Sequence, residues 1–131
     1  MSLTGYVEGT PVQQGSSTPG QRKDGSLYVR PNAGRRLKTW RVLVAESVKG
    51  STVRGPVVVR VRFMFTKPAR TKFPDYPAGR PDIDKVLRAL LDGLTTGGAF
   101  EDDARVVRVE MEKVWAEPGA TPGVEWEVSP R

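Results

Sequence analysis

The stretch GPVVVRVRFMFT, residues 55–66, alternates Val57, Val59, Val61, Phe63 and Phe65 with Val58, Arg60, Arg62 and Met64. Successive side chains on a strand point to opposite faces, so this reads as a strand with one wholly apolar row and one mixed row. Past a proline-rich loop, RPDIDKVLRALLDGL (80–94) sets Ile83, Val86, Leu87, Leu90, Leu91 and Leu94 on a single helical stripe. The chain then turns through TTGGAFEDD, and ARVVRVEMEKVW (104–115) alternates Val107, Val109 and Met111 with Arg108, Glu110 and Glu112. Strand, helix, strand in that order points to an α/β fold of α+β-like character, with a mixed sheet and helices packed on it.

Working outward, LTGYVEG reads as a short first strand and SLYVR as a second. PNAGRRLKTWRVLVAESVKG (31–50) places Leu37, Trp40, Val44 and Val48 at helical spacing, with Asn32 near its start and Gly50 as its C-terminal cap. AEPGATPG makes a hairpin loop into VEWEV, whose Val124, Trp126 and Val128 share a face. The expected order is β-β-α-β-α-β-β in one domain spanning residues 1–131, without internal repeats. Residues 11–25, rich in Gly, Ser, Thr, Pro and Gln, can bury little and read as a mobile loop.

Composition removes whole classes of chemistry. The chain has no cysteine and no histidine. Thiol nucleophiles, thiolate zinc sites, imidazole ligands and Ser-His-Asp catalysis are therefore excluded, leaving carboxylates, Lys, Arg, hydroxyls or a metal. The first residues lack the basic and then apolar pattern of a signal peptide, and no apolar run approaches the roughly 20 residues of a membrane span. A cytoplasmic protein without membrane contact or organic cofactor is expected.

The net charge of +6 is unevenly spread: residues 1–81 carry 15 Lys+Arg against 4 Asp+Glu, and residues 82–131 carry 6 against 11. A basic half suits a polyanion, since each phosphate neutralised releases a counterion, although solubility explains the same balance. KPARTKFPDYPAGRP (67–81) combines Lys67, Arg70, Lys72 and Arg80 with Phe73 and Tyr76, and its four prolines exclude helix or central strand. Bases of single-stranded or distorted nucleic acid stack on aromatics in such a setting; a surface loop with its aromatics tucked beneath is the other reading. Arg35, Arg36, Lys38, Arg41 and Lys49 on the preceding helix form a face that is either solvated or DNA-contacting.

Directly after this loop come Asp82 and Asp84. Mid-helix they would diverge by about 200°, but Arg80 precedes a proline and the apolar stripe starts at Ile83, so the two acids straddle the passage from extended chain to helix. They can share a ligand there, or merely cap the helix, with Asp84–Arg88 and Arg88–Asp92 as surface ion pairs. Asp103, in FEDDARVV, is a third acid whose convergence depends on the turn. Three carboxylates that did meet would require a cation, and an all-oxygen set selects Mg²⁺ or Mn²⁺.

RPDIDKVLRALLDGLTTGGAFEDDARVV resembles the core of the RusA-type Holliday junction resolvases, whose signature runs P-D-x-D-N, a Lys, D-A-L, a Gly turn with an aromatic, then D-D-x-Q-V. The match runs from residue 80 to about 115 without a gap. The resemblance implies that Asp82, Asp84 and Asp103 are metal-binding catalytic acids, and that Arg88 stands in the place of the active-site lysine. Asp92 matches the D-A-L aspartate, and Asp102 the first acid of the D-D pair. Lys85 replaces the usual Asn and Arg105 the usual Gln. It further implies a homodimer, Mg²⁺ dependence, and paired symmetric cleavage of four-way DNA junctions in bacterial or phage recombination and repair. In this reading Lys67, Arg70, Lys72, Arg80 and Lys85 bind DNA backbone. The alternative is a non-catalytic nucleic-acid-binding module in which Asp82 only caps a helix; a protein-interaction domain leaves the acids idle.

Overall fold

A computed structural model describes residues 1–15, 20–21, 23–28 and 31–131. The strand expected at 57–65 forms as β4 (Val57–Phe65), and its apolar row is the centre of the core, with Val57, Val59, Val61, Phe63 and Phe65 all buried. Around it the chain makes β1 (Leu3–Glu8), β2 (Gly20–Gln21), β3 (Leu27–Tyr28), α1 (Pro31–Glu46), α2 (Ile83–Gly97), β5 (Val106–Trp115) and β6 (Gly123–Pro130). A mixed four-stranded sheet runs β1-β6-β4-β5, antiparallel except for the β4–β5 pair. Both helices contribute to the core cluster that covers the apolar face, through Trp40 and Val44 of α1 and Val86, Ala89, Leu90 and Leu94 of α2.

The opposite face is zippered by charge. Arg60 sits across from Glu110 on one neighbour and Glu127 on the other, donating to them at 2.7 and 3.1 Å, and Arg62 donates to Glu112 at 2.9 Å. Hydrogen bonds from Arg108 and then Arg60 hold the Glu110 carboxyl below its ordinary value, and Glu110 holds the Arg60 guanidinium above its own. These pairs are exposed to solvent, which screens them, so they favour strand register more than overall stability.

Three expectations are corrected. The helix expected to reach Gly50 ends at Glu46, because the Ser47 hydroxyl donates back to the Val44 carbonyl at 2.6 Å and accepts from Trp126 Nε1 at 2.9 Å, drawing the chain toward β6. Val107 shares a row with Val109 and Met111 in the sequence alternation but is 59 % exposed, unlike them: the pairing steps from Val57↔Val106 to Val58↔Arg108, and this bulge turns Val107 outward. The second expected strand joins not the main sheet but a separate two-stranded ladder with β2, closed by Asp24-Gly25, where Asp24 accepts from the Ser26 N–H at 2.9 Å and Gly25 has φ +90°. Of that ladder, β3 lies beyond the segment 11–25 expected as a mobile loop, and β2 lies inside that segment. At its near end Pro11 is buried and the Gln14 N–H donates to the Lys85 carbonyl at 3.0 Å, while residues 16–19 and 22 lie outside the described residues, as do Val29 and Arg30.

Glycine sets the spacing between the helices. A Cβ on Gly93 would fall 2.6 Å from Val44 Cβ and 3.2 Å from the Arg41 carbonyl, whereas at Gly34 of α1 a Cβ meets open space. Gly93→Val is expected to lose about 1–3 kcal/mol by overpacking. Gly34→Ala should gain about 0.5–1 kcal/mol from helix propensity. Urea denaturation of both variants checks the pair.

Candidate active site

The parallel β4–β5 pair requires a crossover, and α2 provides it by running back along the sheet. The N terminus of α2 therefore lies at the end of the sheet where β4 and β5 finish. Asp82 is the residue before the helix, extended at φ −68° and ψ 142°, and its carbonyl accepts the N–H groups of Lys85 and Val86. Asp84 is already helical, in the first turn. The acids thus occupy the transition expected for them. The Asp82 side chain makes no capping hydrogen bond and is 57 % exposed, with Lys85 Nζ 3.6 Å from its carboxylate. Capping does not account for this carboxylate.

The basic loop of residues 67–81 arches over the same end and is fastened to β5. Trp115 Nε1 donates to the Phe73 carbonyl at 3.0 Å, and Lys113 Nζ donates to the carbonyls of Gly79 and Pro81, each at 2.8 Å. Its aromatics do not tuck beneath: Phe73 is 45 % and Tyr76 64 % exposed. Lys67, Arg70, Lys72 and Arg80 are all exposed, and none pairs with a carboxylate among the described residues. Tyr76, Pro77, Arg80, Asp82, Asp84 and Lys113 line one open cleft.

Arg88 lies one turn beyond Asp84 on α2 and is exposed. Neither of its expected ion pairs, with Asp84 or Asp92, forms among the described residues, so its guanidinium is available. Lys85 is half-buried, held beside Asp82.

Asp103 is elsewhere. It begins a short 3₁₀ turn (Asp103–Arg105) between α2 and β5, where its carboxylate accepts from the Thr95 hydroxyl. Thr95 is twelve residues past Ile83, about 18 Å along the helix at about 1.5 Å per residue. Asp102 caps the same turn by accepting from the Ala104 N–H at 3.2 Å. Among the described residues no three acidic side chains gather as a metal cluster. Asp82 and Asp84 are hard oxygen donors that fit Mg²⁺ or Mn²⁺, but one chain assembles two of the three acids, not all three.

Lys113 escaped the sequence reading. It occupies the inward row of β5, after Val109 and Met111 and before Trp115. Burial lowers the pKa of its ammonium, and the nearby Asp82 carboxylate acts in the opposite sense. A charged residue where alternation calls for an apolar one was the signal that could have found it.

If the two fastenings hold the basic loop, Trp115→Phe removes a hydrogen bond of about 0.5–1.5 kcal/mol. Tryptic cleavage after Arg70 and Lys72 should then accelerate roughly two- to tenfold when loop opening is fast; unchanged cleavage would show that the indole does not restrain the loop.

The family model described as Endodeoxyribonuclease RusA matches residues 8–128 of the chain. No curated protein matches it.

Proposed function

This chain belongs to the RusA family of endodeoxyribonucleases, and we propose that it is a metal-dependent resolvase that cuts Holliday junctions and other branched DNA by paired, symmetric phosphodiester hydrolysis in recombination and repair. The observation that carries the reading is the pair of carboxylates Asp82, which makes no capping hydrogen bond, and Asp84, in the same cleft as Arg80 and Tyr76 of an exposed basic loop whose four cations have no carboxylate partner among the described residues. A capping role alone leaves the Asp82 side chain without a partner to cap. The setting would be the cytoplasm of a bacterial or phage-infected cell; no helix among the described residues is long and apolar enough to cross a membrane.

Asp82 and Asp84 would hold Mg²⁺, with Mn²⁺ as a substitute. Bound there, the ion supplies positive charge at the phosphate and lowers the pKa of water. The protein's own groups do the rest. Lys67, Arg70, Lys72 and Arg80 grip backbone phosphates on the arms, and Phe73 or Tyr76 stacks on a base exposed near the crossover. Arg88, whose guanidinium offers donors and no acceptor, stabilises charge building on the scissile phosphate. Lys85 contacts an adjoining phosphate.

Since Asp103 lies about 18 Å from the other acids along α2, a site that uses all three draws Asp103 from a second copy of the chain. An isologous homodimer supplies two such sites related by a two-fold axis, as paired cuts on opposing strands require.

A synthetic four-way junction tests these points. Wild type should cleave with Mg²⁺ and stop in EDTA, while Asp82→Asn and Asp103→Asn bind without cutting; wild type that binds but never nicks would sink the proposal. Remixing the two inactive variants should restore nicking of one strand, because each mixed dimer regains one complete shared site. A site contained within one chain predicts no recovery. Asp84→Asn should bind the junction in EDTA at least as tightly as wild type, since one repelling charge is gone; markedly weaker binding would assign Asp84 to folding.

A further inference from the structure

Lys113 is a cation in an otherwise apolar row of β5, and its two hydrogen bonds are both to backbone. Nζ donates to the carbonyl of Gly79 and to that of Pro81, each at 2.8 Å, so it grips the segment directly before Asp82. Asp82 has no hydrogen bond that fixes its side chain as a cap. The direction of its carboxylate is set through the backbone, which is restrained on the helical side by the Lys85 and Val86 N–H groups and on the loop side by Lys113. The ammonium lines the same cleft as both acids.

We propose that Lys113 is a positioning residue for the acid pair, holding the backbone of residues 79–81 so that Asp82 stands beside Asp84 in the geometry that binds a divalent cation. The inference rests on the reading of Asp82 and Asp84 as cation ligands. Two effects of Lys113 on such a site have opposite signs. As a nearby positive charge it repels a cation, so its removal by electrostatics alone would tighten binding. As a backbone clamp it preorganises the ligands, so its removal loosens binding, and loss of an outer-sphere partner of a metal ligand commonly costs 10- to 100-fold in affinity. The sign of the change therefore separates the roles.

Mn²⁺ affinity of the full chain without DNA, read from the electron paramagnetic resonance signal of free Mn²⁺, provides a measurement independent of cleavage. Lys113→Met should weaken Mn²⁺ binding at least tenfold. Because the chain has no cysteine, Lys113→Cys can be modified at that one position. Aminoethylation rebuilds an ammonium at nearly the length of lysine and should restore Mn²⁺ affinity; methylthiolation of the same folded preparation leaves a neutral apolar side chain and should not. The modified pair keeps the comparison intact should Lys113→Met fail to fold. Unchanged or tighter Mn²⁺ binding by the neutral variants overturns the proposal, as does equal weakening in the aminoethylated and methylthiolated proteins. Asp82→Asn reports separately on the ligand reading: loss of Mn²⁺ binding in it supports that reading, whereas wild-type affinity refutes it and the role of Lys113 with it.

Discussion

Everything at the candidate site follows from the parallel pairing of β4 with β5. Two parallel strands that are neighbours in a sheet cannot be joined by a hairpin; the chain must return along their full length before the second begins. Here α2 makes that return, and its amphipathic stripe seats Val86, Leu90 and Leu94 in the core. A helix so placed has its ends at opposite edges of the sheet. Asp82 and Asp84 are consigned to the edge where the parallel strands finish, a position in which open sheets with helical crossovers often bind ligands. Asp103, which follows the helix, is consigned to the other. The separation of the acids is thus a topological consequence, one that no loop rearrangement at either end could remove without breaking the sheet.

The same topology sorts the positive charge. On the uncovered face of the sheet, Arg60 and Arg62 are taken up by Glu110, Glu112 and Glu127 in neighbouring strands and Arg108 by Glu110 of its own strand, and near Asp103 Arg54 and Arg105 share Glu101. Those groups are largely neutralised in place. The loop cations at 67, 70, 72 and 80 and Arg88 on α2 have no acidic partner among the described residues, and they cluster at the edge that carries Asp82 and Asp84. Part of the net charge of +6 therefore reaches solvent beside the acid pair, where a polyanionic substrate would be steered, while Arg35, Arg36, Lys38 and Lys49 on and after α1 also lie exposed without an acidic partner among the described residues.

How much of this was legible in the chain depended on whether the deciding contact was local. The β4 alternation, the α2 stripe and the extended-to-helical step at Asp82 rest on spacing within a few residues, and each took the expected form. The end of α1 did not, because it is decided by Ser47 meeting Trp126 across the fold. The outward turn of Val107 depended on a bulge set by pairing with β4, and the fate of Asp103 on where a helix of this length delivers the chain. The small β2–β3 ladder was foreshadowed by Asp24-Gly25, a hairpin signal within a segment whose composition otherwise suggested disorder. Lys113 was visible as an anomaly in a periodic row but had no meaning until the carbonyls it holds were known.

The residues present also restrict how a proton could leave an attacking water. There is no histidine or cysteine to receive it. A guanidinium such as that of Arg88 offers donors and no acceptor, and Lys113, although burial lowers its pKa, commits two of its N–H groups to carbonyls and is most useful to the loop as a donor. That leaves the carboxylates, which are weak bases near neutrality and, on the proposed reading, already engaged in holding a cation. Proton acceptance by a dedicated side chain is therefore a small part of what this protein can contribute. On that reading its contribution lies in positioning and in fixed charge: a loop fastened at three carbonyls, an exposed arginine in the second turn of α2, and an acid, Asp82, whose backbone is hydrogen-bonded on its helical side and flanked by a held carbonyl on its loop side. Catalysis of that kind depends on preorganisation rather than on a tuned pKa, and it makes the scaffold around Asp82 as consequential as Asp82 itself.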